Sequence, residues 1–234
     1  MDLEAKIVSL PLLFDYLENA SDIRYMKSKK LKHFYINKYF ASPFFGGKYR
    51  LYYDYYYKVL WFRVAKVATR TILQHFLDNT PEDKYIYSSE TGFLNPLHKD
   101  FFKFAFVRNP VDRFLSAWKE KVLKQNYFGF SKKMHHEMQN LENFISWTED
   151  LNIETCDVHL RAQSSLIDLN NVDFIGRFEN FKEDFQFLAY KINLPMKTIH
   201  RKNTTKNMNY YFDKSQKERV RKIYTKDCQI FYPE

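Results

Sequence analysis

An α/β fold with a central, mostly parallel sheet flanked by helices is predicted for this 234-residue chain by three observations. Two β-favouring runs pass through a polar junction into helix-period sequence, at residues 58–77 and 102–122, and a shorter run at 173–176 does the same. Strands that alternate with helical segments point to a parallel sheet, because parallel neighbours need a crossover connection. The length suits one unit, since domains commonly grow to about 250 residues before splitting. With no internal repeat or low-complexity linker, the expectation is a single domain over residues 1–234.

Residues 1–50 read as an N-terminal helical extension with a loop holding Pro43, Gly46 and Gly47. Strand, loop and helix follow over 51–78: an apolar run leads into Lys66, Thr69 and Thr71, and then Ile72, Leu73 and Phe76 recur at helical spacing. Thr80-Pro81 ends that helix, because the residue before a proline is pushed out of the α region. Tyr85, Ile86 and Tyr87 suggest a strand before the Asn95-Pro96 turn.

The second junction is the best signposted. A strand over 102–107 ends at Arg108, Asn109 is a natural N-cap, Pro110 fits the first helical position, and Asp112 sits at the positive helix end. Val111, Phe114, Leu115, Trp118 and Val122 then form a buried stripe. Residues 125–158 read as an insertion with one or two helices, placed on the acceptor side. After the strand at 173–176, Phe181, Phe185, Leu188 and Ile192 mark another helix, and Val220, Ile223, Tyr224 and residues 228–231 a last one.

Hydrophobic residues make up 45% and aromatics 19%, with five glycines, which excludes a disordered chain. The net charge of +9 is uneven: ten Lys or Arg lie between residues 196 and 226 against Asp213 and Glu218. That run is either a solvated helix face or a basic wall attracting an anionic nucleotide or acidic polymer. Cys156 and Cys228 lack metal-ligand spacing and read as free thiols. The apolar start is broken by Pro11 and Asp15, too short for a bilayer and without a cleavage signal, so the expected location is cytoplasmic.

The first junction is not a strict Walker A loop, since its lysine leads the turn. Its backbone amides over 67–71, the hydroxyls of Thr69 and Thr71 and the charge of Lys66 could still surround a phosphate, though a capped core helix shares these features. Arg108 stands at a strand's carboxyl end, where open α/β sheets place ligands, with Ser116 eight residues on. A structural salt bridge and a satisfied helix serine remain the alternative there. Two anion sites on one sheet suggest a ligand with two separate anionic groups.

At these residues the chain resembles a known family. VAKVATRT looks like the 5'-phosphosulfate loop, and FVRNPVDRFLSAW like the 3'-phosphate segment, of carbohydrate sulfotransferases of the family 2 type, which include heparan 2-O and chondroitin enzymes. DVHLRAQ at 157–163, FIGRFENFKEDF at 174–185 and YTKDCQIFY at 224–232 are similar too. The resemblance implies a P-loop-like three-layer fold and 3'-phosphoadenosine 5'-phosphosulfate (PAPS) as co-substrate, with no metal. It puts Lys66 at the sulfuryl group, Val67, Ala68, Thr69, Arg70 and Thr71 at the 5'-phosphate, and Arg108 with Ser116 at the 3'-phosphate. The basic segment RKNTTK would close over the donor through Thr204 and Lys206. Ala65 stands where many members have proline, and the N-terminal membrane anchor of Golgi members is not visible.

The acceptor hydroxyl needs a base, for which a histidine suits neutral pH. His159 and His98 are the two expected positions. If residues 157–166 are helical, His159 and Gln163 share a face, with Arg161 a contact to an acidic acceptor. The leading expectation is sulfuryl transfer from PAPS to a hydroxyl of a sugar, polysaccharide or glycoconjugate. A nucleotide-dependent kinase and a basic, aromatic nucleic-acid binder are the other readings.

Overall fold

The computed structural model describes residues 49–81, 84–87, 95–196 and 210–233. The extension expected over 1–50, save its last two residues, and Thr204 and Lys206 lie outside the described residues. Among those described, β1 (Leu51–Asp54), β2 (Val59–Phe62), β3 (Tyr85–Tyr87), β4 (Phe102–Val107) and β5 (Phe174–Arg177) form one sheet in the order β3-β1-β2-β4-β5. β2, β4 and β5 run parallel, and β1 alone is reversed, pairing antiparallel with both β2 and β3. The predicted α/β architecture is therefore present, with its parallel strands under the two junctions.

Residues 51–62, expected as one strand, are a hairpin. Its turn has no Asn-Gly signal. Instead the Asp54 carboxylate accepts the Tyr56 and Tyr57 amides at 3.0 and 2.9 Å and the Tyr52 and Thr80 hydroxyls at 3.0 and 2.6 Å. Lys58 then turns the chain at φ 51°. Burial raises the pKa of Asp54, and these four donors oppose the rise.

Both sheet faces are aromatic because the central strands are covered on both sides. Trp61 and Phe104 stack at 5.8 Å across the β2–β4 pair, and Phe76 of α1 (Thr69–Leu77) stacks on Phe104 at 5.8 Å. Phe106 fills the space over Gly176, where an added Cβ would lie 2.5 Å from its ring. α5 (Phe181–Lys191) covers this end through Phe181 and Phe185.

A second apolar cluster joins α2 (Pro110–Trp118) to α3 (Lys132–Met138), α4 (Leu141–Glu149) and α6 (Lys214–Ile223). The α2 start follows its signals: Asn109 Oδ1 accepts the Val111 amide at 3.0 Å and Pro110 opens the helix. Where one C-terminal helix was expected there are two, because Tyr224 leaves helical geometry between α6 and α7 (Thr225–Phe231). Its buried hydroxyl donates to the Leu160 carbonyl at 2.6 Å. The fully buried Asp227 on α7 accepts the amides of Gln163 and Ser164 at 2.7 and 2.9 Å. The C-terminal helices thereby anchor the segment that follows His159.

Candidate active site

β2, β4 and β5 end on one edge of the sheet, set by the registers Phe62↔Ala105 and Val107↔Arg177. The loop after β2, residues 63–68, holds no glycine, yet Lys66 and Ala68 have φ of 74° and 62°. Such left-handed residues cost roughly 1–2 kcal/mol each without glycine. The surroundings hold them in place: Thr69 Oγ1 donates to the Val64 carbonyl at 2.6 Å, Arg113 Nε donates to the Ala65 carbonyl at 3.1 Å, and Val67 is buried.

The helix cap is Ala68, with no side-chain cap, rather than a threonine. The single hydroxyl hydrogen of Thr69 is used inside the loop in this structure. The amides of Val67, Ala68, Thr69 and Arg70 have no acceptor among the described residues. They make a concave row at a helix N-terminus, a site suited to an anion.

Lys66 is 10% exposed and forms an ion pair with Glu120, whose other oxygen lies 3.7 Å from Arg70 Nη2. Glu120 stands on a π-helical turn, Lys119–Leu123, that continues α2. Burial pushes the Lys66 ammonium down to about 7, and the charges of Lys121, Arg108, Arg70 and Lys124 push the same way. Glu120 pulls against them.

Arg108 sits directly after β4. Its backbone is clamped by buried Gln163, which accepts the Arg108 amide at 2.9 Å and donates to its carbonyl at 2.8 Å. The guanidinium lies 4.4 Å over the Phe178 ring, and its buried Nε has no hydrogen-bond partner among the described residues. Burial lowers its pKa, against the pull of Asp112, Glu179 and Tyr232. An aromatic face and an unsatisfied buried donor fit an anion of a ligand better than a structural salt bridge. Ser116, half-buried on α2, shares a helix face with Arg113 and Glu120 by its spacing.

On the other side of Lys121, His159 Nδ1 pairs with Asp157 Oδ1 at 2.8 Å, and the same oxygen accepts the His159 amide at 2.9 Å. Tyr127 donates to Asp157 Oδ2 at 3.3 Å and packs edge-on against the imidazole at 4.8 Å. Lys121 Nζ lies 4.0 Å over the Tyr127 ring. Burial lowers the pKa of His159, Lys121 and Arg50 lower it further, and the Asp157 contact raises it. Nε2 has no hydrogen bond among the described residues, so this ring is set to accept a proton there.

Lys66, Arg70 and Arg108 thus lie at one edge, and Arg113, bonded to the carbonyls of Ala65 and Val158, ties the His159 segment to it. His98 does not join them. It is 1% exposed, packed between Tyr53 and Phe101 at 5.1 and 5.2 Å, and precedes the opposite end of β4, a strand about 20 Å long by its residue count. Residues 157–162 are turns rather than helix, with the Asp157 carboxylate accepting the His159 amide and Asp227 those of Gln163 and Ser164 just beyond. Gln163 is therefore spent on Arg108, and Arg161 donates to the Cys156 and Thr155 carbonyls at 2.8 and 3.1 Å.

Sequence reasoning missed Glu120, Lys121, Asp157, Tyr127 and the role of Arg113. The Asp-x-His spacing at 157–159 was a readable sign, since an aspartate commonly accepts the amide two residues on. Nothing local announces Glu120. Among the described residues, no group of three or more His, Cys, Asp or Glu is placed to hold a metal, and no helix is long and apolar enough to cross a membrane.

An open parallel edge with an amide nest, a buried lysine, an arginine with an unsatisfied buried Nε and a His–Asp pair is an arrangement suited to transferring a group from an anionic donor. Residues 49–233 match the sulfotransferase family, and the chain belongs to it. Sulfuryl transfer is the chemistry of that family. No curated protein and no solved structure matches the chain significantly.

Proposed function

We propose that the protein moves a sulfuryl group from PAPS to a hydroxyl of a sugar, polysaccharide or glycoconjugate. The observation that supports this reading is the buried Arg113 side chain, which donates to the Ala65 carbonyl beside Lys66 on the donor side and to the Val158 carbonyl beside His159 on the acceptor side. The amides of residues 67–70, with Arg70, suit the donor's 5'-phosphate, and the unsatisfied Nε of Arg108 with Ser116 suits its 3'-phosphate. In-line displacement forms the bond from acceptor oxygen to sulfur and breaks the bond from sulfur to the 5'-phosphate oxygen. Lys66 meets the charge that grows on that leaving oxygen, where fixed positive charge in a buried site is most effective. His159 Nε2 takes the acceptor's proton, with Asp157 holding Nδ1–H. The products are a sulfate ester and 3',5'-adenosine diphosphate (PAP).

A thermal-shift titration with PAP, 5'-AMP, ADP and ATP tests the donor. Ligand at 100 times its dissociation constant adds about 2.7 kcal/mol of stability. PAP is expected to stabilise far more than 5'-AMP or ADP, and equal shifts from PAP and ADP would remove the 3'-phosphate assignment. Product analysis with PAPS and a panel of neutral and acidic glycans then identifies the acceptor class.

A further inference from the structure

Glu120 is the anion that Lys66 meets in the protein without donor. It bridges Lys66 and Arg70, which come from either side of the amide row at residues 67–70. Its backbone lies on a π-helical turn, a feature that re-aims side chains relative to a regular helix and often marks functional sites. The groups facing Lys66 are Arg70 on α1, Arg108 after β4, and Glu120, Lys121 and Lys124 on or beside the π turn. Four of these five are cationic. Without Glu120 the buried ammonium would face only like charge.

We infer that Glu120 is an internal counter-ion that occupies the position of the donor's sulfonate, keeps Lys66 protonated between turnovers, and is displaced when the donor binds. The sulfonate is a singly charged oxyanion and replaces one carboxylate at Lys66, while the charge of the adjoining 5'-phosphate is met by the amide row and Arg70. A lysine whose partner leaves only when an equivalent anion arrives is ready for the charge that develops on the leaving oxygen. Glu120 is therefore a positioning residue, acting through Lys66. The inference rests on the proposed donor only in its displacement step.

The first arm of the test does not involve a nucleotide. Lys66 is labelled with acetic anhydride over a pH series, and its modified peptide is quantified by mass spectrometry in the wild-type protein and in Glu120→Gln. Loss of the carboxylate is expected to move the labelling midpoint to lower pH by about one pH unit, the lower end of the effect of an adjacent opposite charge. Glu120→Asp, which keeps the charge on a shorter arm, should fall between the two and serves if Glu120→Gln does not fold. An unchanged midpoint overturns the counter-ion role. In the second arm, measured at a pH below both labelling midpoints so that Lys66 is charged in either protein, Glu120→Gln is expected to bind PAPS roughly tenfold tighter while PAP, which has no sulfonate, changes less, a tenfold change being about 1.4 kcal/mol. Equal effects on PAPS and PAP overturn the displacement. Failure of the wild-type protein to bind either nucleotide overturns the donor assignment and with it the displacement, while a shifted midpoint still upholds the counter-ion.

Discussion

Arg113 holds Ala65: its Nε donates to the Ala65 carbonyl at 3.1 Å, while Nη2 of the same fully buried guanidinium donates to the Val158 carbonyl at 3.0 Å. One planar fork thus grips the residue before Lys66 and the residue before His159.

Replacing this fork should therefore affect stability and alignment together. Arg113→Met is expected to cost about 3 kcal/mol, since charged hydrogen bonds to two carbonyls of half-buried residues are lost. Arg113→Lys keeps the charge but cannot span both carbonyls, and is expected to lower kcat more than tenfold with a smaller loss of PAP affinity. Denaturant melts and steady-state kinetics check both; an Arg113→Lys enzyme with normal turnover would separate the fork from catalysis.

Lys66→Ala should lower kcat roughly 10²–10³-fold, the usual cost of removing one transition-state donor, while PAP binding largely survives. Because burial brings this lysine down to about 7, its charged form is lost earlier on the alkaline side than for an ordinary lysine. The donor kcat/KM, which reports the free enzyme, should accordingly decline as pH rises above about 7. Lys66→Arg should remove that alkaline decline even if its rate is lower. A flat wild-type profile from pH 7 to 9 would contradict this.

Arg108→Met is expected to weaken PAP by roughly tenfold or more while 5'-AMP binding stays within about twofold, since a charged hydrogen bond is worth about 1.5–3 kcal/mol. Calorimetric titration of both nucleotides measures the difference. Parallel losses would mean that Arg108 shapes the edge instead of reading a phosphate.

The acid limb of the kcat profile should follow His159. Its neutral ring is the active form, and burial with Lys121 and Arg50 holds its pKa below the usual histidine value. Removing a like charge in Lys121→Met should move the limb to higher pH. Removing the opposing carboxylate in Asp157→Asn should move it to lower pH and reduce kcat through loss of the Nδ1 contact. Limb positions that do not move in opposite directions would take the base assignment away from His159.

The two junctions were legible because their signals are local: a strand, a lysine or arginine, and a helix start read off in sequence order. The remainder of the site depends on contacts between distant residues. Gln163 reaches Arg108 across 55 positions and Arg113 reaches Ala65 across 48, so no window on the sequence contains either pair. The Ala68 cap was hidden because Thr69 and Thr71 are better cap formers, and only the strained loop geometry moves the helix start to an alanine. The placement of His98 was hidden because its closeness to Arg108 in sequence spans the whole of β4.

The sheet also divides its work along its own length. Asp54, with its four donors, pairs with Val59 at the amino end of β2, and His98 lies beyond the amino end of β4, while Lys66 and Arg108 follow the carboxyl ends. Engineering can treat these ends as separate dials. Asp54→Asn should lower the melting temperature and leave kcat near normal, and combined with Lys66→Ala its destabilisation should add to within about 0.5 kcal/mol, as for sites more than 7–10 Å apart. A double variant departing from that sum would show that the β2 strand carries strain from one end to the other.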